Sequence, residues 1–210
     1  MYLNKHTQVQ TVIFIIFGVS LAYAITRYQI FGSVPWKELP FYILNKALSL
    51  SAFLILLFAL SLKAMQKKGW IIDISLIDSR ASLAKSGFLL LIVHVFMSFL
   101  LFRSSYYGKF FADDGSLTLY AGLSMLGGVL AFVLLWSIQS DRDKHTDVLL
   151  FTSPRKFISL LLFLLAIHLF FMGYEGWLKP MAWHGALPPI SLVAFVFLLF
   201  ASIVNLSFKE

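Results

Sequence analysis

Two histidines inside long apolar runs are the residues of this sequence best suited to chemistry. His94 lies in the uncharged run Ser86–Phe102, and His168 lies in the uncharged run Phe157–Tyr174. A neutral imidazole is a common metal ligand, and a polar side chain within an apolar span usually marks function. Because the chain has no cysteine, thiolate metal sites, disulfides and iron–sulfur clusters are excluded, and a metal would have to depend on His, Met or carboxylates.

The composition places these histidines in a membrane. The chain has 210 residues, of which 60% are hydrophobic and 13% are charged, and its mean hydropathy is +0.85. Soluble domains carry about twice this share of charge, and disordered chains are poor in aromatic residues. Both classes are therefore excluded, and the predicted surrounding is a lipid bilayer. The net charge of +7 is explained by basic cytoplasmic loops and predicts no nucleic-acid partner.

The elements that must position the histidines are transmembrane helices. The sequence predicts an all-α, six-helix transmembrane bundle in a single domain, residues 1–210, with spans at approximately 8–28, 41–63, 85–103, 117–138, 155–175 and 187–207. Most Lys and Arg residues fall in the termini and in the connections after the second and fourth spans, so both termini are predicted to be cytoplasmic. Residues 39–45 lengthen the second span if Lys46 reaches the interface or faces the protein interior. Pro154 and the pair Pro188–Pro189 predict where the fifth and sixth helices begin.

The two histidines are predicted to lie at the same depth. Spans three and five run in the same direction, and at about 1.5 Å per residue both imidazoles lie roughly 12–16 Å from the cytoplasmic ends of their helices. Two imidazoles at one depth on parallel helices can ligate the iron of a planar porphyrin from both sides. The spacing predicts one haem b between His94 and His168, and Gly87, one heptad before His94, would leave room for the macrocycle.

Less specialised roles remain open for the same side chains. An intramembrane His also serves as an interhelical hydrogen-bond partner, and a zinc site would need at least a third ligand, which the spans do not offer at that depth. His6, His145 and His184 fall in terminal or loop segments and are predicted to be solvated. His184 lies on the side toward which a haem would open, so its role stays open.

Around these histidines the chain resembles the ferric reductase-like transmembrane domain family, which includes NADPH oxidases, ferric reductases and the haem-bearing membrane subunit of the periplasmic methionine sulfoxide reductase system. The segment Arg80–His94 (RASLAKSGFLLLIVH) is similar to the third helix of that family, and Pro154–His168 (PRKFISLLLFLLAIH) is similar to its fifth. The start of the second span, Asn45–Leu48, and the six-span layout are also similar. The resemblance covers roughly residues 40–175 and implies a membrane cytochrome of a bacterial inner membrane.

One departure from the family limits the number of haems. Members with two haems carry a second histidine some thirteen residues from each ligand, whereas this chain has Ala81 and Arg155 at the preceding positions. The resemblance therefore implies at most one bis-histidine haem, the outer of the two. The chain also lacks a Gly-rich dinucleotide fingerprint and a flavin domain, so as an oxidoreductase subunit it could not oxidise NAD(P)H alone.

The predicted function is electron transfer across the membrane through one haem, with a quinone as a second candidate cofactor. The donor would be a quinol or a cytoplasmic reductase, and the acceptor would be an outer-face molecule or a partner subunit. The alternative is a haem-free structural or accessory subunit of a larger membrane complex. A transporter is disfavoured because no inverted repeat is visible.

Several further polar residues are secondary candidates. Lys46 and Arg103, near the outer ends of their spans, would pair with haem propionates or anchor the protein to lipid phosphates, and anchoring is the favoured role for Lys109. Asn45 and Asn205 would bond a quinone carbonyl or, more commonly for such residues, a neighbouring helix.

Overall fold

The computed structural model describes residues 5–70, 74–144 and 154–207, and these residues form helices without a β-strand. Six helical stretches are long and apolar enough to cross a bilayer: Thr7–Ile30, Trp36–Lys67, Arg80–Leu101, Leu119–Ser140, Lys156–Trp177 and His184–Leu206. The predicted all-α, six-helix membrane bundle is confirmed, and the chain is a multi-pass integral membrane protein. The side of the membrane on which the termini lie stays a prediction.

The α-helices of the described residues follow the chain in a simple order. They are α1 (Lys5–Ile25), α2 (Leu44–Lys67), α3 (Ile74–Asp78), α4 (Arg80–Leu101), α5 (Ser104–Tyr107), α6 (Leu119–Lys144), α7 (Pro154–Trp177) and α8 (Ile190–Leu206). Two π-helical segments, Thr26–Ile30 and Leu39–Ile43, continue α1 and precede α2. The second segment provides the predicted lengthening of the second span.

The prolines mark the helix ends as predicted. Pro154 is the first residue of α7, and α8 begins directly after Pro189. Proline suits these positions because its fixed φ is helical and its missing N–H would have no partner in the first turn. The residue before Pro154 lies outside the described residues.

Helix α2 is the centre of the bundle. It packs on α1, α4 and α8, whereas α7 packs on α6 and α8. Buried alanines and leucines form this core, including Ala47, Leu50 and Leu57 of α2, while large side chains such as Phe14 and Phe163 stay exposed on the surface that faces lipid. Helices α4 and α7, which carry the two histidines, are not among the packed pairs. The space between them is therefore enclosed mainly by α2 and α6.

Candidate functional site

A cavity of about 1060 Å³ lies between α2, α4, α6, α7 and α8, and both His94 and His168 line it. It extends along the bundle from Lys46 to Lys63. We call its two ends the Lys46 end and the Lys63 end, and the sequence predicts that the Lys63 end is cytoplasmic. Ordinary ligand pockets measure about 300–1,000 Å³, so the cavity is large enough for a bulky cofactor.

His94 is held by an amide from the central helix. Its Nδ1–H donates to Asn45 Oδ1 over 2.7 Å, and Asn45 Nδ2 donates to Ser98 Oγ over 3.1 Å. Asn45 is 1% exposed. Because the bond to Ser98 uses the nitrogen of the amide, the oxygen faces the imidazole and can only accept, which assigns the ring proton to Nδ1.

His168 is held by the main chain of α6. Its Nδ1–H donates to the Ser124 carbonyl oxygen over 2.8 Å, and Ser124 Oγ donates to the His168 carbonyl oxygen over 2.9 Å. A carbonyl oxygen is an acceptor only, so the proton of this ring also lies on Nδ1. Both imidazoles therefore present a lone pair at Nε2.

Two glycines of α6 make room for His168. A Cβ atom on Gly128 would lie 2.7 Å from His168 Nδ1, and one on Gly127 would lie 2.9 Å from the Leu164 carbonyl oxygen. The sequence predicts no role for Ser124, Gly127 or Gly128. Their signal was present, since Ser124 and Gly128 are small residues four positions apart in a membrane span, a spacing typical of closely packed helices.

The two imidazoles fit a haem iron better than a bare metal ion. Each histidine lies 14 residues after its helix begins, at Arg80 or at Pro154, which agrees with equal depth. Within the described part of the chain, neither Nε2 has a hydrogen-bond partner, and no group of three His, Asp or Glu side chains that could hold a metal ion occurs. A haem iron would need at most two ligands from the protein, so His94 and His168 would be sufficient to hold it.

The cationic residues for which the sequence predicts a role differ in whether they line the cavity. Lys46 and Lys109 line the cavity, whereas Arg103 does not. Lys46 Nζ lies 4.8 Å from the centroid of the Tyr107 ring, and Arg103 is exposed beside Tyr106. Lys109 Nζ donates to a main-chain carbonyl of α7. Desolvation and the charge of Lys46 lower the pKa of the Lys109 ammonium, and the Glu175 carboxylate partly opposes this shift.

Gly87 lies away from the cavity. A Cβ atom on it would lie 3.0 Å from side-chain atoms of Ile55 and Leu56, and Gly87 is not among the lining residues. The room that Gly87 leaves is thus used by α2. The heptad spacing placed Gly87 on the face of His94, but α2 covers that face one level below the imidazole.

The other predicted polar residues have structural roles or lie outside the site. Asn205 Nδ2 donates to Ser61 Oγ of α2 over 3.0 Å, and Asn45 Oδ1 accepts a hydrogen bond from His94 of α4. Both amides therefore join neighbouring helices. His184 is exposed in the connection before α8 and does not line the cavity. His145 lies outside the described residues, as does the side chain of His6.

The chain matches no protein-family model, and no curated protein is significantly similar to it.

Proposed function

We propose that the protein is a membrane cytochrome of the b type that binds one haem between His94 and His168. The observation that carries the proposal is the arrangement of the two imidazoles, which line one cavity with Nδ1 occupied and Nε2 available. Haem b bound there would supply one-electron redox chemistry. The resemblance of residues 40–175 to the ferric reductase-like family supports the same function.

The residues around the imidazoles prepare them for ligation. Metal-ligating histidines almost always donate their second ring N–H to an oxygen, which fixes the tautomer and the ring orientation. Asn45 Oδ1 and the Ser124 carbonyl provide this oxygen for His94 and His168. Most of the residues that line the cavity are apolar. Lys46 and Lys109 place positive charge at the Lys46 end, where it would stabilise carboxylate groups of the cofactor.

The chain would need partners to complete electron transfer. We propose that a quinol or a cytoplasmic reductase is the donor, and that a molecule on the outer face or a partner subunit is the acceptor. Asn45 is not available to a quinone carbonyl, because its oxygen accepts from His94 and its nitrogen donates to Ser98. The resemblance to the ferric reductase-like family is the basis for proposing a bacterial inner membrane.

A second candidate function is a haem-free structural subunit. One observation favours it: each histidine joins two helices through Nδ1, α4 to α2 through Asn45 and α7 to α6 through Ser124. Interhelical hydrogen bonds of this kind stabilise membrane bundles without any cofactor. The cytochrome would use Nε2 of each histidine as an iron ligand, whereas the structural subunit would not use it.

The absorption spectrum of the purified protein tests the proposal. We expect a reduced-minus-oxidised b-type signal in the wild type that is lost in His94→Asn and in His168→Asn. Asparagine can place its amide N–H where Nδ1–H was, so the interhelical bond is kept while Nε2 is removed. Helical content and a monodisperse elution profile should be unchanged.

His184→Asn is the matched control, because His184 is exposed and lies outside the cavity. Its spectrum should equal that of the wild type. A folded wild-type protein that stays colourless after expression with excess haem would contradict the cytochrome and favour the structural subunit.

A further inference from the structure

The cavity continues far beyond the level of the imidazoles. His94 is level with Asn45, to which it is bonded, and the lining of α2 continues to Lys63 and Lys67. Eighteen residues separate Asn45 from Lys63, which corresponds to about 27 Å along the helix. A cofactor ligated by His94 and His168 would occupy the Lys46 end, so the remaining length can hold a second molecule.

The lining of this second part is mostly apolar along its length and cationic at its end. Between the imidazole level and the Lys63 end, most lining residues are apolar, among them Phe88, Phe132 and Leu161. The uncharged amides of Gln139 in α6 and Asn205 in α8 also line this part. Lys63, Lys67 and Arg80 line the Lys63 end. None of the described residues that line the cavity is an Asp or a Glu.

We propose that this part of the cavity binds an anionic phospholipid of the adjacent leaflet, with one acyl chain inside the cavity and the phosphate beside Lys63. Each leaflet contributes about 15 Å of the roughly 30 Å hydrocarbon core, so an acyl chain whose headgroup lies at the interface reaches toward the imidazole level. Basic pockets between transmembrane helices on the cytoplasmic side are typical sites for anionic headgroups. A quinone head is uncharged and would offer Lys63 no opposite charge.

Lipid retention in native mass spectrometry tests the inference. The protein is purified in a mild detergent and titrated with phosphatidylglycerol, which is anionic, or with phosphatidylcholine, which is zwitterionic. We expect one phosphatidylglycerol per chain, retained in preference to phosphatidylcholine by about tenfold or more, because each basic residue near the headgroup contributes about a fivefold increase in affinity. Lys67 and Arg80 also interact with other protein groups, so the test variant is Lys63→Gln, which should reduce the preference by about fivefold.

Two further variants separate headgroup from chain binding. Lys179→Gln is the matched control, because Lys179 is exposed and does not line the cavity, and it should not alter the preference. Ala84→Phe fills a lining position in the apolar part and should abolish retention of either lipid. Equal retention of the two lipids by the wild type, an unchanged preference in Lys63→Gln, or a retained quinone instead of a phospholipid would overturn the inference. The readout is lipid mass, so the result does not depend on whether haem is bound.

Discussion

Substitution of Gly128 by alanine is the most direct test of how His168 is positioned. The added Cβ would lie 2.7 Å from Nδ1 and 3.0 Å from Cε1 of the imidazole, where ordinary contacts begin at 3.4 Å. The ring would have to move by about 0.7 Å. A movement of this size is larger than the width of the 2.7–3.2 Å range of donor–acceptor distances in an N–H···O bond. The bond to the Ser124 carbonyl would therefore be lost or strained. Overpacking of this kind costs about 1–3 kcal/mol.

The expected functional result is weaker haem binding. Disturbing the partner that orients a ligand histidine typically reduces metal affinity about 10–100-fold. The assay is the haem-to-protein ratio after purification, together with the rate at which haem passes to an excess of a haem-scavenging protein. Gly122→Ala on the same helix is the matched control, because a Cβ there meets nothing within 4 Å. Equal haem retention by the two variants would refute the placement of His168 against α6.

Three other substitutions have distinct expected outcomes. Asn45→Leu leaves the His94 N–H without its acceptor and should lower the free energy of unfolding by about 1–2 kcal/mol. Thermal denaturation in detergent measures this loss, and an unchanged melting temperature would contradict the hydrogen bond. Lys46→Met removes a cation that lines the cavity and should reduce haem retention, whereas Arg103→Met, outside the cavity, should not; equal losses would contradict the division between them. Gly87→Ala crowds α2 and should destabilise the protein by about 1 kcal/mol. The haem spectrum of the folded fraction should be unchanged. Loss of that spectrum would indicate that Gly87 belongs to the haem site.

The membrane bundle could be predicted from the sequence because span length and hydropathy are local properties. A span needs about 20 apolar residues whatever surrounds it, and proline marks a helix start through its own geometry. The prediction that His94 and His168 lie at equal depth rests on a local property as well, since the rise per residue of a helix is constant. The π-helical turns before α2 and after α1 had no such local signal.

The neighbours of each side chain could not be predicted, because they depend on which helices pack together. Gly87 shares a heptad position with His94, yet α2 covers it and leaves the imidazole facing the cavity. Lys109 was assigned to lipid anchoring from its place near the end of a span, whereas the fold brings it to the cavity. Periodicity identifies the face of a helix, but only the packed bundle shows what that face meets at each level.

The same hydrogen bonds serve both candidate functions, which determines how these functions can be distinguished. The bond from His94 to Asn45 joins α4 to α2, and the bond from His168 to Ser124 joins α7 to α6. Each bond also fixes the tautomer that a ligand histidine requires. Substitution by alanine removes the interhelical bond and Nε2 together, so loss of haem in an alanine variant has two explanations. Substitution by asparagine removes Nε2 alone, and loss of haem from a folded asparagine variant would therefore identify the ligand.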